Sequence, residues 1–140
     1  MFVRFVDTFP DMCYFFYIMD ILVVDDDPYI QRSLSFVLRK ERFEVEVASN
    51  GEEALNKARE LKPKIIILDL MMPKLNGFAA CRAIKSDPGT KNSYVIILTA
   101  KGQEVDKEAG LKEGADEFMT KPFSPKEIVA KVRSILETFE

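Results

Sequence analysis

Ile65-Ile66-Ile67-Leu68-Asp69, continuing through Leu70-Met71-Met72-Pro73 to Asn76-Gly77, is the stretch that decides the fold. Its first four residues are all apolar, and the three isoleucines are β-branched. Such a run has no polar face to turn to water. It marks a central strand of a parallel sheet with helices on both sides. The strand stops at an acid, and the Pro and Gly beyond it make a loop before a helix carrying Phe78, Cys81 and Ile84.

Upstream the same grammar repeats. Ile21-Leu22-Val23-Val24 is a first strand that also ends at an acid, Asp25. Asp27-Pro28 then opens a helix, an acidic cap followed by proline at the first helical position. Its Ile30, Leu34, Val37 and Leu38 form one apolar stripe. Phe43, Val45 and Val47 alternate with Glu44 and Glu46, which predicts a half-exposed edge strand. Asn50-Gly51 leads into a helix with Ala54, Leu55 and Ala58, stopped near Pro63.

Downstream, Asp87-Pro88-Gly89 breaks the helix through Ile84, and Tyr94 to Leu98 is a further buried strand ending at Thr99. A helix with Val105, Ala109 and Leu111 is closed by Gly114, and Ala115 to Met119 makes a last strand that ends at Lys121. The final helix starts at Ser124-Pro125, with Glu127 in a capping-box position, and carries Ile128, Val129, Val132, Ile135, Leu136 and Phe139. Five strands alternating with five helices predict an α/β fold, a doubly wound parallel sheet. The domain covers 20–140, and residues 1–19 stand apart as an N-terminal extension.

Two readings of that extension stay open. MDILVVDDD from Met19 reads as a natural beginning, or the extension is genuine and its Phe2, Phe5, Phe9, Phe15 and Phe16 dock on the domain or on a second copy. Met12 to Met19 is apolar but far short of the ~20 residues that span a bilayer. Asp7, Pro10 and Asp11 interrupt it as a signal peptide.

Composition narrows the chemistry. A net charge of -3 creates no field that asks for nucleic acid or an anionic membrane. Cys13 and Cys81 make neither a disulfide framework nor a metal cluster, which fits reduced thiols in the cytoplasm. Histidine is absent, so histidine-based triads and zinc sites are excluded. Carboxylates, lysine, hydroxyls and backbone remain.

Asp25, Asp69, Thr99 and Lys121 each stand at the carboxyl end of a predicted strand, with Asp26 beside the first. In a parallel sheet those ends share one rim, where ligands bind. Carboxylates gathered in one cleft repel, and a hard divalent ion such as Mg²⁺ relieves them. Lys121 adds a positive charge suited to phosphoryl oxygens. With neither histidine nor a placed cysteine in the cleft, a carboxylate is the natural nucleophile.

These segments resemble a known family. ILVVDDDP, IIILDLMMPKLNGF, VIILTA and GADEFMTKPF, in this order over 20–139, are similar to the receiver domain of two-component response regulators, of the single-domain chemotaxis-regulator kind. The resemblance implies a flavodoxin-like sheet in the order 2-1-3-4-5. It makes Asp69 the phosphoacceptor, charged from a phosphohistidine on a histidine kinase or phosphotransfer protein. Asp25, Asp26, Asp69 and the backbone carbonyl of Met71 would serve the Mg²⁺ site, Asp25 through metal-bound water. Asp27 matches an acidic position outside the inner shell.

The resemblance also gives Lys121 the phosphoryl oxygens, with a cis bond to Pro122, and gives Thr99 and Phe118 the switch. The surface of the fourth helix, fifth strand and fifth helix would bind a downstream protein in trans. Self-association into a homodimer is left open. Met71 and Lys101 would flank the incoming water, and Met71 has no group to orient it, so slow self-dephosphorylation is expected. As no segment follows the fifth helix here, the expectation is a stand-alone, cytoplasmic regulator without direct DNA contact. It would catalyse its own phosphorylation and dephosphorylation but turn over no external substrate.

Three other readings compete. A haloacid-dehalogenase-type phosphatase shares the strand-end aspartate, and Asp25-Asp26-Asp27 has its D-x-D spacing, but no acidic pair follows Lys121. A nucleotide- or flavin-binding module would need glycine where this turn is rich in Asp. An interaction domain that has lost the chemistry would usually lack one of the five site residues.

Overall fold

In a computed structural model of the chain, the described residues are 19–70, 72, 76–100, 111–121 and 124–139. They form strands β1 (Ile21–Val24), β2 (Val45–Ala48), β3 (Ile65–Asp69), β4 (Tyr94–Ala100) and β5 (Glu117–Lys121). The helices are α1 (Pro28–Lys40), α2 (Gly51–Leu61), α3 (Gly77–Ser86) and α4 (Pro125–Glu137), the last being the fifth of the predicted helices. Residues 101–110 of the predicted fourth helix, with Val105 and Ala109, lie outside the described residues; Leu111 and Lys112 are helical. All five strands are parallel, in the order β2-β1-β3-β4-β5, as the family resemblance implies.

Alternation along each strand divides the core in two, which is why the inner strands are apolar throughout. Leu22, Val24, Ile66, Leu68, Val95 and Ile97 pack with Ala54, Ala58, Ala80, Cys81 and Ile84 of α2 and α3. Ile21, Val23, Ile65, Ile67, Ile96 and Leu98 pack with Leu34 and Leu38 of α1 and Ile128, Val132 and Ile135 of α4. Burying each such side chain fully is worth about 1.5–3 kcal/mol. Among the described residues no helix is long and apolar enough to cross a membrane.

Helix starts follow their signals. The Asp27 carboxylate accepts the Tyr29 N–H at 2.9 Å, with Pro28 in the first turn. Asn50 and Asn76 cap α2 and α3 in the same way, and Ser124 and Glu127 close a reciprocal capping box on α4. One expectation shifts at β2. Glu44 is buried, not solvent-facing, because its N–H donates to Asp20 Oδ2 at 2.9 Å and its carbonyl accepts from Ile21 just ahead of the strand.

The free edge of β2 is closed by side chains. Glu44 and Ala48 bond inward to β1, so Val45 and Val47 present their backbone groups outward. Arg39 Nη2 donates to Val45 O at 2.7 Å and Lys57 Nζ to Val47 O at 2.5 Å, while the Val47 N–H is taken by Glu46 Oε1 at 2.9 Å. Charges on an edge strand discourage pairing with another chain.

Candidate phosphoryl-transfer site

Parallel strands bring their carboxyl ends to one rim. Val24 lies opposite Leu68, so Asp25 and Asp69 extend adjacent strands side by side. Asp69 in turn lies opposite Leu98, and Thr99 is the next residue along β4. Lys121 closes β5, one step past the Thr99–Thr120 pair. Residues far apart in sequence are thereby brought into contact: Lys121 Nζ donates to Asp69 Oδ1 at 3.1 Å and lies 3.7 Å from Asp25 Oδ2.

Among the described residues, Asp25, Asp26 and Asp69 can each place one carboxylate oxygen within 4.8 Å of the others. Asp25 and Asp69 are buried and Asp26 is exposed. Asp25 Oδ1 accepts the Asp27 N–H at 2.9 Å, but the buried Oδ2 has no hydrogen-bond donor. Burial pushes the Asp25 carboxyl above its usual range; the charges of Asp69 and Asp26 add to this, while the Asp27 N–H and Lys121 oppose it. Burial alone would lower the Lys121 ammonium, but its bond to Asp69 and the charges of Asp69 and Asp25 outweigh that and raise it. Lys121 therefore stays cationic.

The donor set fits a hard cation. All three groups are oxygen ligands, the class that suits Mg²⁺, Ca²⁺ or Mn²⁺ over zinc. Asp25, Asp26 and Asp69 would hold such an ion, which would neutralise their crowded charge. A buried oxygen without a donor is the group such an ion would satisfy.

Asp27 does not join the cluster. Its carboxylate caps α1, which withdraws it from the acid–base role a D-x-D phosphatase would need. Thr99 is buried and falls in the row of Val95 and Ile97, on the face against which Phe118 is partly buried. Phe118 and Thr99 thus share one side of β4–β5. Met71, Lys101 and Pro122 lie outside the described residues, as do residues 1–18 with Cys13.

A profile of the response regulator receiver domain matches residues 21–133. The chain belongs to this family. The DNA-binding response regulator MtrA of Mycolicibacterium smegmatis is 47% identical over 120 residues, covering 86% of this chain and 51% of that protein. The receiver thus spans about half the length of the curated relatives it matches. The chemotaxis protein CheY4 of Vibrio cholerae superposes with a TM-score of 0.79 at 30% identity, covering 84% of this chain and 98% of that one. The receiver domain of the sensor histidine kinase PA1611 of Pseudomonas aeruginosa PAO1, solved with magnesium in its active-site cleft, gives 0.78 at 27% identity, covering 86% and 98%. Receivers of two-component systems are phosphorylated on aspartate by histidine kinases and typically bind Mg²⁺.

Two residues of this receiver's site escaped the sequence reading. Gly77 begins α3 against the end of β3: a Cβ there would lie 2.7 Å from both Asp69 O and Leu70 Cα. Its N–H donates to Leu70 O at 3.0 Å, pinning the helix to the strand end. The Asn-Gly pair was a visible turn signal, but the close approach is a property of the fold. Gln31 is the second; no local signal separates it from a solvated helix residue.

Proposed function

We propose that this receiver accepts a phosphoryl group on Asp69 from a phosphohistidine of a histidine kinase or phosphotransfer protein. The observation that carries the reading is the Lys121–Asp69 contact inside a cluster of three carboxylates at one rim. An Asp69 carboxylate oxygen attacks phosphorus, the new O–P bond forms as the P–N bond breaks, and the imidazole nitrogen leaves with the electron pair. Lys121 Nζ, already at the acceptor, moves to a phosphoryl oxygen and balances the added charge. Asp25, Asp26, Asp69 and the Met71 carbonyl would hold Mg²⁺, which neutralises phosphoryl charge and the crowded carboxylates when bound. Hydrolysis returns Asp69 to its carboxylate, so the protein acts on its own residue and turns over no external substrate.

Thr99 then donates its hydroxyl to the phosphoryl group, and Phe118 follows it by packing alone, having no hydroxyl of its own. The responding surface is the stretch after β4, with β5 and α4, and its two arrangements form the switch. A protein target in the cytoplasm reads that surface; buried, unpaired Cys81 suits a reducing compartment. A second reading has an observation of its own. MtrA is a DNA-binding regulator of about twice the matched length, so the output of such a chain would pass through a DNA-binding unit. Incubation with acetyl phosphate and Mg²⁺, followed by intact mass of wild type and Asp69→Asn, tests the chemistry. An adduct on the wild type alone supports it.

A further inference from the structure

Gln31 lies on the first turns of α1, pointing back at the end of β1. Its Nε2 is surrounded by three acceptors: Asp25 O at 2.5 Å, Ser49 Oγ at 3.0 Å and Ala48 O at 3.3 Å. Two of these are backbone carbonyls, which can only accept, so the amide nitrogen and not the oxygen faces them. Ala48 O also accepts the Asp25 N–H at 3.1 Å. One side chain therefore clips the β1–α1 turn, which carries Asp25 and Asp26, to the β2–α2 turn.

Asp25 is buried and clusters with Asp69 and Asp26, so its place depends on what holds its backbone. The Asp27 N–H restrains the carboxylate and the Ala48 carbonyl restrains the backbone N–H, which leaves the Asp25 carbonyl to Gln31. We infer that Gln31 is a positioning residue for the cation site: it holds the backbone of Asp25 so that the carboxylates of Asp25 and Asp26 converge with Asp69 before any ion arrives. This rests on the function proposed above. Groups that orient metal ligands without touching the metal typically matter about 10-fold to 100-fold in affinity, and a contact made through backbone belongs at the lower end.

The test is calorimetric titration of the metal-free, full-length chain with Mg²⁺, alongside thermal unfolding without metal. Gln31→Met keeps length and bulk but has no donors, and should weaken Mg²⁺ binding about tenfold. Gln31→Lys restores a donor and should recover most of the affinity. In acetyl phosphate labelling, the half-saturating Mg²⁺ concentration should rise for Gln31→Met more than the plateau rate falls. If Gln31→Met does not fold, Gln31→Glu sets an acceptor against the two backbone carbonyls and should weaken binding as well. A Met variant that loses thermal stability yet binds Mg²⁺ like the wild type makes Gln31 structural and overturns the inference. Wild type that takes up no Mg²⁺ overturns both this and the function it rests on, a result distinct from equal binding by both proteins.

Discussion

Lys121 Nζ sits 3.1 Å from Asp69 Oδ1, bonded to the very carboxylate proposed to receive the phosphoryl group. Among the described residues, Lys121 is the cation paired with both Asp69 and Asp25. Lys121→Met should slow labelling by acetyl phosphate by about 10²-fold, the usual scale for losing one preorganised donor. Initial rates from intact mass at saturating Mg²⁺ check this, and a rate within threefold of wild type would count against the role.

Asp25 is predicted to trade stability for function. Its folded-state pKa is raised, by burial first and then by its acidic neighbours, so the native state holds that proton more tightly than the unfolded chain. The sign follows: between the unfolded pKa and the raised folded one, stability falls as pH rises, and acid relieves the cost. Asp25→Asn keeps an oxygen for the Asp27 N–H and removes the charge. It should raise the Tm of the metal-free protein while weakening Mg²⁺ binding. Thermal melts across pH with chelator present, paired with Mg²⁺ titration, read both effects.

Gly77→Ala should damage fold and site together. The new methyl meets backbone at 2.7 Å on two atoms, so no side chain can yield to it. Overpacking of this kind costs about 1–3 kcal/mol, and the strand end that moves is the one carrying Asp69. Urea denaturation should show the loss, and acetyl phosphate labelling should slow beyond what the residual folded fraction explains.

Arg39→Ala with Lys57→Ala should open the β2 edge. Val45 O and Val47 O would lose the donors that cover them, leaving a strand free to pair with a second copy. Light scattering coupled to size exclusion should show concentration-dependent association of the double variant. A strictly monomeric variant at high concentration would mean the two side chains do not guard the edge.

Much of this was legible in the sequence, for physical reasons. Ile65 to Leu68 could only be a strand covered on both faces, and parallel topology then sends Asp25, Asp69, Thr99 and Lys121 to one rim without any distance being known. Asp27 was ambiguous, since D-x-D spacing suits both a helix cap and a second carboxylate at the site; the bond to Tyr29 N–H decides for the cap. Glu44 broke the alternation because its backbone is drawn in by Asp20. Gln31 and Gly77 were illegible because each acts on backbone atoms of another element, an approach set by packing and not by local pattern.

The central claim is that Asp69 is the phosphoacceptor, and locating the acyl phosphate tests it most directly. Protein labelled with acetyl phosphate and Mg²⁺ is reduced with borohydride, which converts a phosphorylated aspartate to homoserine, and its peptides are mapped by mass. The account predicts homoserine at Asp69 alone, absent when Mg²⁺ is chelated. Homoserine at Asp25, or an unmodified Asp69 in protein that carries the phosphate adduct, would contradict it.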